Sequence, residues 1–247
     1  WGDDVNLKQG TTTLNFSTGQ SDNNDLSSTF GSNISSSTTG ATVSNGGTPD
    51  ISLSWTAASN VLELHSHSVW DHVDPSSSGV DILQLDLNGG EADPYITFTV
   101  GSGKALHLDS LLIGHASNMT ETDNAWTITI YKVGGGQVFS KTTAAMGAGD
   151  KEQVDLNFTG EFNTSYILKI SDNGSNHTRG AIDNLTFGQL EFYTTPGTTT
   201  LNFATGQANN DDLSNSFGSN LSSSTSGATV TNGGTPNVAL SWTAPSN

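Results

Sequence analysis

Apolar residues in this chain recur at every second position, and no stretch sustains a 3.6-residue period. Val61-Leu62-Glu63-Leu64-His65, Val80-Asp81-Ile82-Leu83-Gln84-Leu85-Asp86-Leu87 and Tyr95-Ile96-Thr97-Phe98-Thr99-Val100 all alternate. Successive side chains on a strand point to opposite faces, so alternation marks a half-buried strand. Similar runs, rich in β-branched and aromatic residues, lie at 105–113, 126–131, 138–141, 153–158, 166–171 and 181–187, with shorter ones at 12–16, 41–43 and 51–55. Gly, Asn and Asp clusters such as Asn45-Gly46-Gly47 and Asn88-Gly89-Gly90 punctuate them. About a dozen short strands at this spacing predict an all-β fold, an antiparallel jelly-roll-like β-sandwich. The polar stretch 18–50 reads as a long excursion pinned by Phe30, Ile34 and Val43.

The chain also repeats itself. Residues 11–60 match residues 198–247 without a gap at an offset of 187, and 13 of the 50 pairs differ. The changes are mild: Ile34 becomes Leu221, Ile51 becomes Val238 and Asp50 becomes Asn237. Asp22 becomes Asn209 while Asn24 becomes Asp211, so the acidic loop keeps its charge. An offset of this length is a whole domain rather than a solenoid unit of ~20–50 residues. The expected organisation is an extension at 1–10, a full unit at 11–193, a linker at 194–197 and a partial second unit at 198–247. Fifty residues rich in Ser, Gly and Asn cannot bury enough apolar surface to offset chain entropy alone. Leu201, Phe203, Leu240 and Trp242 are therefore expected to pack between repeats, in the core of their own chain or of another.

Composition narrows the function. Seven Lys and Arg against 24 Asp and Glu give a formal charge of −17, and so few cations make no patch for nucleic acid. No apolar run approaches the ~18 residues of a membrane span, so no membrane insertion is expected. Cysteine is absent, which excludes disulfides and thiolate metal sites. The chain begins Trp1-Gly2-Asp3-Asp4, so we expect a processed product or an excerpt.

The run Gly180-Ala181-Ile182-Asp183-Asn184-Leu185-Thr186-Phe187 resembles the closing strand of secreted bacterial β-sandwich domains, with 95–100, 126–131 and 166–171 fitting the same pattern. Such domains are similar to the galactose-binding-like jelly roll found in PEP-CTERM-type exported proteins and in carbohydrate-binding modules. The resemblance covers about residues 11–190 and implies export. It also implies a structural Ca²⁺ near the first and last strands, involving Asp183.

Three kinds of site are candidates. Sugar binding needs exposed aromatics beside convergent polar groups. Trp70, in the polar loop Ser68-Val69-Trp70-Asp71-His72, is the leading choice, with His72 and Tyr95. Trp55, Trp126 and Trp242 sit in strand patterns and read as core anchors. Calcium would use hard oxygen ligands from loops, which points to Asp22 and Asp25 in Asp22-Asn23-Asn24-Asp25. The competing explanation is that Asx runs bond their own backbone in turns. Glu63, His65 and His67 would share a strand face, with His72, Asp71 and Asp74 nearby, a pattern open to Zn, Cu or Ni. Its alternative is a solvated outer face. No nucleophile elbow, zincin helix motif or phosphate loop occurs, so no enzyme activity is expected.

Two functions follow. The first is a non-enzymatic extracellular structural or adhesive tandem-repeat protein that self-associates by sharing β-strands into fibres or matrix. The second is a polysaccharide-binding module. The sequence favours the first, because one copy of the 50-residue segment is surplus.

Overall fold

A computed structural model describes residues 6–17, 24–32, 34, 40–66, 80–87, 92–116, 125–172, 178–193, 197–203, 217, 221, 227–231, 233–235 and 238–243. The chain divides into a large unit, Leu7–Glu191, and a small one, Phe192–Asn247 with Trp1–Asn6. Every regular element among the described residues is a β-strand.

The strands are β1 (Asn6–Leu14), β2 (Asn24–Asp25), β3 (Ala41–Ser44), β4 (Ile51–Thr56), β5 (Leu62–Ser66), β6 (Val80–Leu87), β7 (Tyr95–Val100), β8 (Lys104–His115), β9 (Trp126–Lys132), β10 (Gln137–Thr142), β11 (Lys151–Thr159), β12 (Tyr166–Asp172), β13 (Thr178–Tyr193), β14 (Thr198–Leu201) and β15 (Ala228–Thr231). An eight-stranded sheet runs β11-β8-β13-β6-β5-β2, with β1 beside β13 and β3 beside β1. A five-stranded sheet runs β10-β9-β12-β7-β4. The pairs β1–β3, β2–β5, β5–β6, β6–β13, β13–β8, β8–β11, β9–β10, β9–β12, β12–β7 and β7–β4 are antiparallel.

The alternation in sequence becomes the two faces of each sheet. Ile51, Leu53 and Trp55 on β4 are buried while Ser52, Ser54 and Thr56 are exposed. Ile96 and Phe98, Ile128 and Ile130, and Leu168 and Ile170 point inward from the same sheet and meet Leu64, Leu83, Leu108, Ile113 and Phe187 from the other in one core. Phe98 meets Phe187 edge-on at 5.4 Å, and Phe158 meets Tyr166 at 5.1 Å, so aromatic contacts join the two sheets. This is the antiparallel β-sandwich expected from sequence. Trp55 and Trp126 are core anchors, and Ile34 is fully buried with Phe30 and Val43 packed on the core.

Strand limits differ from the sequence pattern in an instructive way. β1 starts at Asn6, five residues before the repeat begins at Thr11, and it ends at Leu14 rather than Phe16. Phe16 takes φ 54, a left-handed backbone that ends the strand and turns its ring onto Phe30 and Trp55 at 5.8 and 5.9 Å. Asn157 (φ 47) and Asn184 (φ 49) sit at register shifts in β11 and β13, the two neighbours of β8. Asn tolerates this backbone, so each bulge bends the sheet where the sequence still alternates.

Lys104 ties the large unit together at one end. Its ammonium bonds Glu191 on β13 and lies 3.4 Å from Asp50. The hydrogen bond to Glu191 is the main reason its pKa lies above the free value of 10.5.

Candidate functional site

The solvent face of the five-stranded sheet is built by parity. Because Ile96, Phe98, Ile128, Ile130, Leu168 and Ile170 turn inward, Tyr95, Thr97, Thr99, Thr127, Thr129, Tyr131, Ile167, Lys169 and Ser171 turn outward. Register brings these together. Tyr95 lies opposite Lys169 on β12 and Thr56 on β4. Ile167 lies opposite Thr97 and Tyr131, and Lys169 opposite Thr129. The two half-buried tyrosines therefore flank β12, two strand spacings apart and offset by two residues, or about 12 Å diagonally.

The surroundings are almost all hydroxyls. Ser52, Ser54 and Thr56 continue the face onto β4, and Ser140 and Thr142 onto β10. Thr127 and Thr142 hydrogen bond at 3.0 Å. Lys169 pairs with Asp93 at 2.7 Å, and the Ser171 hydroxyl donates to the same carboxylate at 3.0 Å. Charge on this face is thus neutralised locally within a chain of net charge −17. The net negative charge of the chain disfavours polyanions, and the face itself offers neutral hydroxyl chemistry beside two aromatic rings. The sequence singled out Tyr95 but not Tyr131. The signal for Tyr131 was its parity, opposite to Trp126, Ile128 and Ile130.

Other sequence candidates fall elsewhere. Trp70, His72, His67, Asp71, Asp74 and Asp22 lie outside the described residues. Glu63 and His65 do share a face, 3.5 Å apart, but with side chains only 15–16% exposed they are not the solvated surface considered as the alternative. Among the described residues, no group of three or more His, Asp or Glu is placed to hold a metal. Asp25 accepts hydrogen bonds from the backbone N–H of Asn60 at 3.0 Å and the Ser59 hydroxyl at 3.4 Å, residues more than thirty positions along the chain, so it clamps the turn before β5 rather than its own local backbone. Asp183 is fully buried on β13, bonded by the Asn184 amide at 2.8 Å. Sheet order puts three strand spacings, about 14 Å, between β2 and β13, so Asp25 and Asp183 do not converge on one ion. A cleft of ≈ 140 Å³ beside Asp25, Ser28, Trp55 and Ser59 is well below the ~300 Å³ of ordinary ligand pockets.

The small unit reproduces the first copy on a reduced scale. β14 pairs with β15 in the register of β1 with β3, and Leu221 bridges Thr235 as Ile34 bridges Thr48. Phe203 and Val238 are 53% and 49% exposed, and Leu201, Leu240 and Trp242 are half-buried.

No known protein family matches the chain, and no curated protein sequence matches it. Among solved structures, a CBM61 module in complex with β-1,4-galactotriose is similar over 56% of this chain and 86% of its own, at 11% identity and a TM-score of 0.38. The CBM22-1 xylan-binding domain of Paenibacillus barcinonensis Xyn10C is similar over 56% and 87%, at 12% identity and a TM-score of 0.36. A CBM28 module specific for non-crystalline cellulose is similar over 56% and 86%, at 13% identity and 0.31. The PEP-CTERM part of the resemblance finds no support among them.

Proposed function

We propose that the large unit is a non-catalytic carbohydrate-binding β-sandwich that holds a neutral polysaccharide against the outer face of the five-stranded sheet. The observation that carries this is the pair Tyr95 and Tyr131, set on one hydroxyl-rich face about 12 Å apart across β12. One sugar ring cannot reach both, so the ligand is a chain of several sugars. The only carboxylate we assign to the face, Asp93, is engaged by Lys169 and Ser171 and serves orientation rather than acid–base chemistry. Trp70 and His72 are proposed as sugar contacts on their sequence context alone, a polar aromatic stretch between β5 and β6, apart from the face that carries Tyr95 and Tyr131. Acidity and the lack of cysteine suit a secreted or cell-surface protein.

Affinity electrophoresis against soluble neutral glycans tests this. The wild-type chain is expected to be retarded, and Tyr95→Ala or Tyr131→Ala to weaken binding at least tenfold, or about 1.4 kcal/mol. A double variant that binds as tightly as wild type defeats the proposal. A second reading, a structural protein assembled from repeats, draws on the exposed apolar side chains of the small unit.

A further inference from the structure

The two copies of the repeat share an internal architecture but not a setting. In the first copy the Thr12 and Thr48 hydroxyls bond at 3.0 Å, and the Trp55 indole N–H donates to the Phe30 carbonyl at 2.8 Å. In the second the Thr199 and Thr235 hydroxyls bond at 3.0 Å, and the Trp242 indole N–H donates to the Phe217 carbonyl at 2.7 Å. Phe203 keeps the left-handed backbone of Phe16, φ 54 in each, and its stacking on Phe217 and edge contact with Trp242. A strained backbone of this kind persists only where its surroundings hold it. The second copy thus keeps these contacts of the first even though Phe203 and Val238 are about half exposed.

What differs is the side that the first copy turns to the sandwich. Phe16 and Ile51 are fully buried, whereas their counterparts Phe203 and Val238 are about half exposed. β4 is hydrogen-bonded to β7 from Ile51 to Thr56, whereas residues 238–243 form no strand. In the first copy this side is covered by the strands between Val61 and Tyr193.

The sandwich already present is a poor candidate. Thr13 lies across from Thr186, their hydroxyls 2.9 Å apart. Bringing Thr200 to that place would turn the chain at residue 193, where β13 ends, and would displace β1, which already pairs with β13. Exchange with another molecule buries one copy only by exposing another, so nothing offsets the freedom lost on association. Asn237 also replaces Asp50, whose carboxylate accepts from Gln189 at 2.9 Å and pairs with Lys104.

We propose that residues 198–243 are a preformed half-module that captures a β-sandwich of the 61–193 type whose own β1, β3 and β4 positions are open. Residues 238–243 add as a strand to its β7, and Phe203, Val238, Leu240 and Trp242 enter its core. This owes nothing to Tyr95 and Tyr131, so it stands or falls separately from glycan binding.

The test joins a second copy of residues 61–193 directly after Asn247, which stands where Asn60 precedes Val61. Ser54 opposes Thr97 in the first copy, at a Cα spacing a disulfide can span, and Ser241 corresponds to Ser54. In the lengthened chain, Ser241→Cys is expected to close on Thr97→Cys of the added copy as fully as Ser54→Cys closes on Thr97→Cys of the original. Phe203→Ser is expected to abolish the melting transition of the added sandwich and to spare that of the original. Failure of the first bridge while the control closes overturns the proposal. So does an added copy that stays unfolded beside a folded original. So does a bridge between Ser241→Cys and Thr97→Cys in the 247-residue chain, within or between molecules, since a filled sandwich would then be the partner.

Discussion

Gly180 shows how much one position can demand. A Cβ there would collide with the indole of Trp126, itself fully buried at the start of β9. Gly180→Ala is expected to destabilise the chain by about 1–3 kcal/mol, the usual penalty of overpacking, seen as a lower denaturant midpoint at unchanged slope. Lys104 sets a pH dependence. Its pKa is raised by Glu191 and then by Asp50, so folding binds its proton more tightly. The resulting stabilisation is fully present below the free value of 10.5 and is lost as pH rises through the higher folded value. The gap in melting temperature between wild type and Lys104→Met should therefore be constant at neutral pH and close in strong alkali. A gap that widens there would contradict the assignment.

At the scale of elements, the same six-residue pattern has two fates. Ile51–Thr56 is β4, paired along its length with β7. Its counterpart, residues 238–243, carries the same alternation but forms no strand. A strand needs a partner for its backbone groups, which alternation cannot supply. Trp55→Ala is expected to cost the large unit about 3–5 kcal/mol, as for a buried aromatic. Trp242→Ala should leave that unit's melting transition where it is, and calorimetry on both variants separates the cases. Most strands of the large unit were legible because each has a face in the core. The ends of β1 and β13 were not. Phe16 looks like one more inward residue, but its backbone turns left-handed, and Asn184 hides a bulge inside an alternating run.

For the molecule as a whole, the core comprises residues of the large unit, from Leu14 to Phe187 among its fully buried members. A chain ended after Tyr193 is expected to melt within a degree or two of the full chain's main transition, since it keeps every residue of that core. A drop of 10 °C or more would mean that the small unit supports the sandwich. Of the candidate sites, Tyr95 was legible because an aromatic at a strand start stands out. The face around it was not, because hydroxyl residues spread over five strands have no spacing in common. Asp25, from the composition of its loop, and Asp183, from the resemblance, were separate calcium candidates, and sheet order sets them about 14 Å apart.

The sequence by itself determined that the chain is all-β, which side chains alternate inward, and that one segment occurs twice. These are local properties, set by a two-residue period and by identity at a fixed offset. Only the tertiary structure decided which strands are neighbours, and hence that Tyr95 and Tyr131 share a face and that one copy is enclosed while its twin keeps an apolar side open. Strand order and burial depend on contacts between residues far apart in the chain, and neither composition nor periodicity encodes those.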